Sequence, residues 1–311
     1  MKKYIEIIKN RGILVFFKAC LGLVLIIILK FFKKKFYIKK IYDYNLRLDL
    51  ADPGISRGLI LFGNRELEHK KMLEMYLKPG MCIYDIGANI GYYVCLQNSI
   101  LKGKCKIVAI EPSPINFKNL KENIKLNNYE NIRFFNAAIG EKNSIEKFSL
   151  AEQSNLNSFH NFGTGKKYLS GKTIDVEVKT VSEITKLTNL KPDLIRMDVE
   201  GHEVEVINGM IDDILQKKIR PSIIFETHLS RYNKDHDISK PLRKLFDNGY
   251  EAKLVGSSGK KGSNLIEEYG HKPIDVINTD GMERKIFKNL DKDIALKMIS
   301  QQGGIRTILL G

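Results

Sequence analysis

Short apolar runs rich in Ile and Val recur along the middle of the chain, at residues 82–86, 106–111, 132–139, 193–199 and 222–228. Helix-like stretches separate them at 91–101, 113–128 and 202–218, and a further helix is predicted over 237–250. Short buried strands alternating with helices predict an α/β fold whose parallel sheet is covered on both faces. Ser113 followed by Pro114 is a strong helix start, with Ser as cap and Pro in the first turn. Behind it, Phe117, Leu120, Ile124 and Leu126 form an imperfect apolar stripe. Residues 173–181 change the period: Ile174, Val176 and Val178 alternate with Asp175, Glu177 and Lys179. That predicts a half-exposed antiparallel strand in an inserted hairpin, and the polar, glycine-bearing stretch 154–167 reads as a loop over the sheet.

The amino terminus follows another rule. Ile13 to Leu29 is apolar except for Lys18, and as a helix it would span roughly 26 Å against the roughly 30 Å of a hydrocarbon core. Phe31 and Phe32 can extend it, and the lysine-rich stretch that follows is no signal-peptide cleavage site. Eleven uninterrupted apolar residues from Ala19 to Leu29 leave no polar face, so a membrane-associating helix is expected, spanning or lying in the interface. Six lysines follow it and four basic residues precede it, a bias that puts the main domain on the cytoplasmic side if the helix spans.

The charge of +15 first suggests a nucleic-acid partner. Residues 1–40, however, hold eleven Lys and Arg against only Glu6. What remains is mildly basic and carries no basic stripe interleaved with aromatics, so no nucleic-acid partner is expected. The four cysteines, Cys20, Cys82, Cys95 and Cys105, have no metal or disulfide-framework spacing.

Candidate chemistry begins where the first strand ends. Cys82 to Ile86 runs into a turn that packs Gly87, Asn89 and Gly91 within five residues. In an open parallel sheet, ligands bind beyond the carboxyl ends of strands, and a glycine turn there lets backbone approach them closely. The turn lacks the three-glycine phosphate fingerprint. Glu111 closes the next strand, where a carboxylate can accept from two ribose hydroxyls. The pair predicts a nucleoside-bearing cofactor that needs no phosphate cradle, although nicotinamide-dependent dehydrogenases share both features.

Five segments sharpen this: IYDIGANIGYY (83–93), AIEPSPINFKNLKENIKLNN (109–128), NAAIG (136–140), IRMDVEGHEVEVINGM (195–210) and IIFETH (223–228). In that order and spacing the chain resembles the FkbM family of methyltransferases over about residues 50–230, including LKPG at 77–80. The resemblance implies S-adenosylmethionine as cofactor and a class I (Rossmann-like) α/β fold. Its sheet would have seven mostly parallel strands with helices on both faces, behind the amino-terminal hydrophobic helix. The domains expected are 1–40, the membrane-associating helix; 41–80, a helical lead-in; 81–256, the cofactor-binding domain; and 257–311, an extension of unassigned structure. Asp85, Gly87, Asn89 and Gly91 would shape the pocket for methionine and ribose, Glu111 would hold the ribose, and Ala137 and Ala138 would line the adenine edge.

Methyl transfer from a sulfonium is an in-line displacement, so the acceptor oxygen must be aligned and must lose its proton. Asp198 and His228 are the leading candidates for that proton, with Glu226, Glu200 and His202 as alternates. Asp198, Glu200, Glu203, Glu226 and His228 also have the hard donors a divalent cation takes, but spacing alone does not establish a site and none is assigned. The resemblance implies O-methylation, and with the membrane-associating helix it points to a sugar hydroxyl of a lipid-linked glycan or surface polysaccharide. Tyr44, Arg65, Glu68, Arg196 and the 154–167 loop are candidate acceptor contacts. The competing class is a catalytically inactive, membrane-tethered binding or scaffold protein with the same fold.

Overall fold

The computed structural model describes residues 11–160 and 169–311. Part of the predicted 154–167 loop and most of the amino-side basic tail therefore lie outside the described residues. The hydrophobic helix forms as α1 (Ile13–Phe31), followed by the hairpin β1 (Phe36–Ile41) and β2 (Tyr44–Asp49) and the helices α2 (Ile55–Phe62) and α3 (Leu67–Tyr76). The hairpin was not expected in the helical lead-in. It forms because Tyr44, Leu46 and Leu48 alternate into the core with period two.

The predicted alternation follows: β3 (Cys82–Ile86), α4 (Tyr92–Ile100), β4 (Lys106–Ile110), α5 (Pro114–Leu126) and β5 (Ile132–Phe135). Residues 132–139 do not make one strand. After β5 the chain turns at Asn136, whose Nδ2 donates to the carbonyls of Glu111 and Pro112 at 2.8 and 3.0 Å. Ala138–Ile139 then becomes β6, which pairs with β8 (Leu169–Lys179), itself antiparallel to β7 (Ser144–Ala151). The inserted hairpin is thus present, as a separate small sheet. Next come α6 (Val181–Thr188), β9 (Leu194–Met197), α7 (Glu203–Leu215), β10 (Ser222–Glu226), α8 (Ser239–Asp247) and β11 (Ala252–Ser257).

Residues 257–311 complete the fold with α9 (Lys260–Glu268), β12 (Asp275–Thr279), β13 (Met282–Leu290), α10 (Lys292–Lys297) and β14 (Ile305–Leu310). The main sheet is nine-stranded, in the order β12-β13-β11-β14-β10-β9-β3-β4-β5. Parallel pairing joins β10, β9, β3, β4 and β5, whereas β14, β11, β13 and β12 are joined antiparallel. Seven of these strands, β5 to β11 across the order, form the class I methyltransferase sheet. The expected mostly parallel seven-stranded sheet is present, with β14 as its one antiparallel strand between β10 and β11, and the β12–β13 hairpin widens its edge.

Strands such as β3, buried at all five positions, carry apolar residues on both faces because helices cover both. One core layer gathers α6, α7, α8 and α10, the other α3, α4, α5 and the β1–β2 hairpin. The imperfect stripe of α5 has a cause. Asn123 is fully buried within it and accepts from the Arg47 amide at 2.6 Å while donating to the Ile90 carbonyl at 2.8 Å. An amide stands where a leucine would have left β2 and the glycine turn unpaired.

Helix α1 leans one side on α2, where a Cβ at Gly22 would meet Leu61 Cδ2 at 3.0 Å. Leu14, Phe17, Leu21, Val24, Ile27 and Phe31 are exposed on its other side. Lys39, counted from sequence among the flanking charges, instead caps α2 by donating to the Leu59 and Ile60 carbonyls at 2.9 and 2.7 Å.

Candidate active site

The carboxyl ends of β3, β4 and β9 meet around a hollow that, counted out through its open mouth, measures about 500 Å³. Gly87 makes the meeting possible: at φ 76° its amide donates to the Ile110 carbonyl at 2.9 Å, and a Cβ there would lie 2.3 Å from the Asp198 carbonyl oxygen. Only glycine allows the two strand ends to approach so closely.

Glu111 forms the floor and is 4% exposed. It accepts from the amides of Asn89 and Ser113, both at 2.9 Å. Burial outweighs these bonds and raises its carboxyl to about 7. Ala137, Ala138, Ile139, Phe148 and Phe159 form an apolar wall, while Asp198, Glu200 and His202 line the opposite rim. The Asn89 side chain donates to the Ser154 carbonyl at 3.0 Å, tying the start of the predicted loop to the rim.

Two cofactor candidates lie elsewhere. Asp85 is fully buried outside the hollow, where Gln97 Nε2 donates to it at 3.0 Å and Arg196 Nη1 at 3.3 Å. Burial raises its carboxyl to about 6 despite Arg196. The second guanidinium nitrogen of Arg196 reaches Asp198 Oδ2 at 3.1 Å, and its plane lies 4.0 Å over the Tyr93 ring. Asp85 thus acts on the site through Arg196. Gly91 also faces away: a Cβ on it would strike Leu120 of α5 at 2.8 Å, so this glycine serves helix packing.

The chemical candidates cluster beside the rim. His228 follows β10, and its Nδ1 lies 2.9 Å from Oε1 of Glu203, at the start of α7. Glu203 also accepts from the Tyr232 hydroxyl at 2.9 Å. The Nε2 of His228 faces Asp198 at 3.8 Å, Glu200 at 4.0 Å and Glu226 at 3.6 Å. Burial resists charge on this imidazole, but Glu203, Glu200 and Glu226 overcome it and raise its pKa to about 10. Burial lifts Glu226 to about 8, against the pull of Arg306. Asp198 and Glu200 line the hollow, whereas His228 and Glu226 stand behind them. The surrounding carboxylates favour the charged imidazolium, which faces Asp198.

Asp198 also borders a second, open cleft, which shares Gly87, Asn89 and Asn155 with the first and adds Arg65, Tyr93 and Arg196. Of the candidate acceptor contacts, Arg65 lines this cleft. Tyr44 and Glu68 do not touch it, the first being core and the second buried against Arg284. Sequence reasoning did not assign Glu203 its orienting role and missed Arg306, which arrives on β14 and pairs with Glu226 and with Glu66. Nothing in the local sequence of β14 signals that it lies beside β10.

The Methyltransferase FkbM domain family matches residues 85–252. The hexuronic acid methyltransferase AglP of Haloferax volcanii is 28% identical over 158 residues, 49% of this chain and 58% of that protein. Methyltransferase 1 of Beauveria bassiana is 25% identical over 147 residues, 42% of this chain and 59% of that protein. The chain therefore spans somewhat more than half the length of these relatives. Among solved structures, a methyltransferase FkbM from Methylobacillus flagellatus is similar at a TM-score of 0.42 and 16% identity, over 75% of this chain and 52% of that one. The family match covers more than half of the sequence and takes in the glycine turn, Glu111, Asp198 and the His228 cluster, and so the chain belongs to the FkbM family of S-adenosylmethionine-dependent methyltransferases.

Proposed function

We propose that this protein methylates a hydroxyl of a sugar in a glycan held at a membrane. The observation that carries the proposal is the gathering of Gly87, Glu111 and Asp198 around one hollow at the carboxyl edge of the sheet. When bound, S-adenosylmethionine supplies a methyl group activated on a sulfonium. The residues present suit it. Glu111 presents a buried carboxylate to vicinal ribose hydroxyls, the Ala137–Ala138 wall offers a flat apolar face to a base, and Gly87 leaves backbone bare beside Asp198.

Asp198 sits where hollow and second cleft join, and so is placed to touch both cofactor and acceptor. It is the candidate to receive the acceptor proton, because His228 and Glu226 each hold a proton at neutral pH. The imidazolium 3.8 Å away and Arg196 at 3.1 Å orient the Asp198 carboxylate. Glu203 is a positioning residue acting through His228.

A sugar acceptor is supported by the hexuronic acid relative and by the polar Arg65 side of the second cleft. A membrane location is supported by the apolar outer face of α1, a helix of mean hydropathy 2.6 of which 17% is buried. Lys30, Lys33, Lys34, Lys35 and Lys40 after that face favour the cytoplasmic side for the domain. Calorimetric titration with S-adenosylmethionine tests the binding half, and absence of saturable binding would leave only the scaffold reading. Mass spectrometry of surface glycans from a strain lacking the protein tests the acceptor. Loss of one methylene mass from a sugar is expected, and an unaltered glycan profile removes the sugar.

A further inference from the structure

On the far side of His202 from the rim, three separate elements bring nitrogen and oxygen donors together. His202 precedes α7 and Glu205 lies in its first turn, His160 comes from the loop after β7, and His236 from the segment before α8. His160 Nε2 is 3.3 Å from His202 Nδ1 and 3.7 Å from Glu205 Oε2. Glu205 Oε2 is 3.3 Å from His202 Nδ1 and 3.1 Å from His236 Nε2. The donor atoms of His160, Glu205 and His236 all fall within 4.8 Å of one another. A tetrahedral ion with bonds of about 2.0–2.1 Å has donor-to-donor edges of about 3.3 Å, and these separations scatter around that edge.

We propose that His160, Glu205 and His236 form a three-ligand site, beside His202, for a divalent transition-metal ion of the zinc type. The donor chemistry selects it, because imidazole suits zinc, cobalt and nickel whereas calcium and magnesium prefer oxygen throughout. His236 has the outer-sphere partner such ligands usually carry: its Nδ1 lies 2.8 Å from the Arg231 carbonyl, which turns Nε2 toward the cluster. Arg231 Nη1 donates to the His160 carbonyl at 2.9 Å and so fixes the loop ligand to the same segment.

Asp198, Glu226 and His228 also bring three donor atoms within 4.8 Å. There Arg196 already neutralises Asp198 and the Arg306 guanidinium stands against Glu226, so a cation would meet two guanidinium groups. The His160 cluster has no guanidinium within salt-bridge distance of Glu205 among the described residues. Its position gives the ion a task. Phe159 stacks on His202 at 4.4 Å, and both line the hollow, so an ion bridging His160 and α7 would clip the loop against the nucleoside pocket. The proposal does not depend on methyl transfer.

The test uses the full chain in detergent, on a tag free of histidine, stripped with chelator and then titrated with cobalt(II) and zinc(II). One equivalent of cobalt is expected to bind with the intense visible absorption of a tetrahedral site, and zinc is expected to displace it. His236→Ala and Glu205→Gln, on different elements and checked for folding by circular dichroism, should each lose more affinity than the roughly 10- to 100-fold that outer-sphere changes cost. Asp198→Asn should bind cobalt unchanged. Absence of saturable binding would overturn the site and leave a hydrogen-bonded histidine cluster. Binding lost in Asp198→Asn but kept in His236→Ala would overturn it too, by assigning the ion to the other group.

Discussion

Nδ1 of His228 and Oε1 of Glu203 stand 2.9 Å apart, one after β10 and the other on the first turn of α7. This contact holds the imidazole in place and keeps it charged. The His228 pKa is raised from 6.5 to about 10, so the stability it contributes is complete below about 6.5 and is lost as pH rises through about 10. Glu203→Gln should move the His228 titration, followed by NMR of its ring, down toward 6.5. The same change should flatten the fall of melting temperature across that window, and an unmoved titration would separate the two residues.

Asp198→Asn should lower turnover by about 10²- to 10⁴-fold, the range of a lost general base, and His228→Ala should lower it less, because His228 acts by orienting the Asp198 carboxylate. Affinity for S-adenosylmethionine should change little, because neither side chain carries the nucleoside. Turnover and calorimetry on the same preparations check this, and equal losses in both quantities would place these residues in cofactor binding instead.

Glu111 must be ionised to accept from two hydroxyls, and its carboxyl titrates at about 7. Affinity for S-adenosylmethionine should therefore tighten as pH rises through about 7. Glu111→Gln should abolish that dependence and weaken binding about 10- to 100-fold, as expected for losing a charged hydrogen bond of about 1.5–3 kcal/mol. Titration calorimetry at several pH values reads both effects.

Arg196 is 2% exposed between Asp85 and Asp198. Removing it leaves the buried Asp85 carboxyl without its cation and hydrogen-bond donor, so Arg196→Met should cost about 3–5 kcal/mol of unfolding free energy. Adding Asp85→Asn should recover much of that loss in a double-mutant cycle by urea denaturation. Additive costs would mean that the pair is not coupled.

Leu21 and Ile28 are 70% and 47% exposed on the outer face of α1. Leu21→Glu with Ile28→Glu should release the protein from carbonate-washed membranes without changing its melting temperature in detergent. A double variant that still sediments with the membrane fraction would discredit that face as the anchor.

The fold was largely legible because a parallel sheet writes itself locally: β3, β4, β9 and β10 are apolar on both faces, and Ser113 caps α5 as its sequence foretold, accepting from the Asn116 amide at 3.4 Å. Half of the site was legible for the same reason. Gly87, Glu111 and Asp198 each end a strand, and strand ends in such a sheet share an edge. Asp85 and Gly91 were misplaced because their segment states that they sit near the turn, not which way they face. One faces Arg196 and the other Leu120.

By itself the amino-acid sequence determined the period and polarity of each element, the hydrophobic amino-terminal helix, and the set of residues at the strand ends, since all of these follow from local patterning. Tertiary structure alone decided that β14 lies beside β10 and carries Arg306 to Glu226, that Glu203 stands against His228, and that three histidines meet at Glu205. Those outcomes depend on contacts between residues far apart in the chain. There burial and neighbouring charge, absent from any local stretch of sequence, set both geometry and protonation.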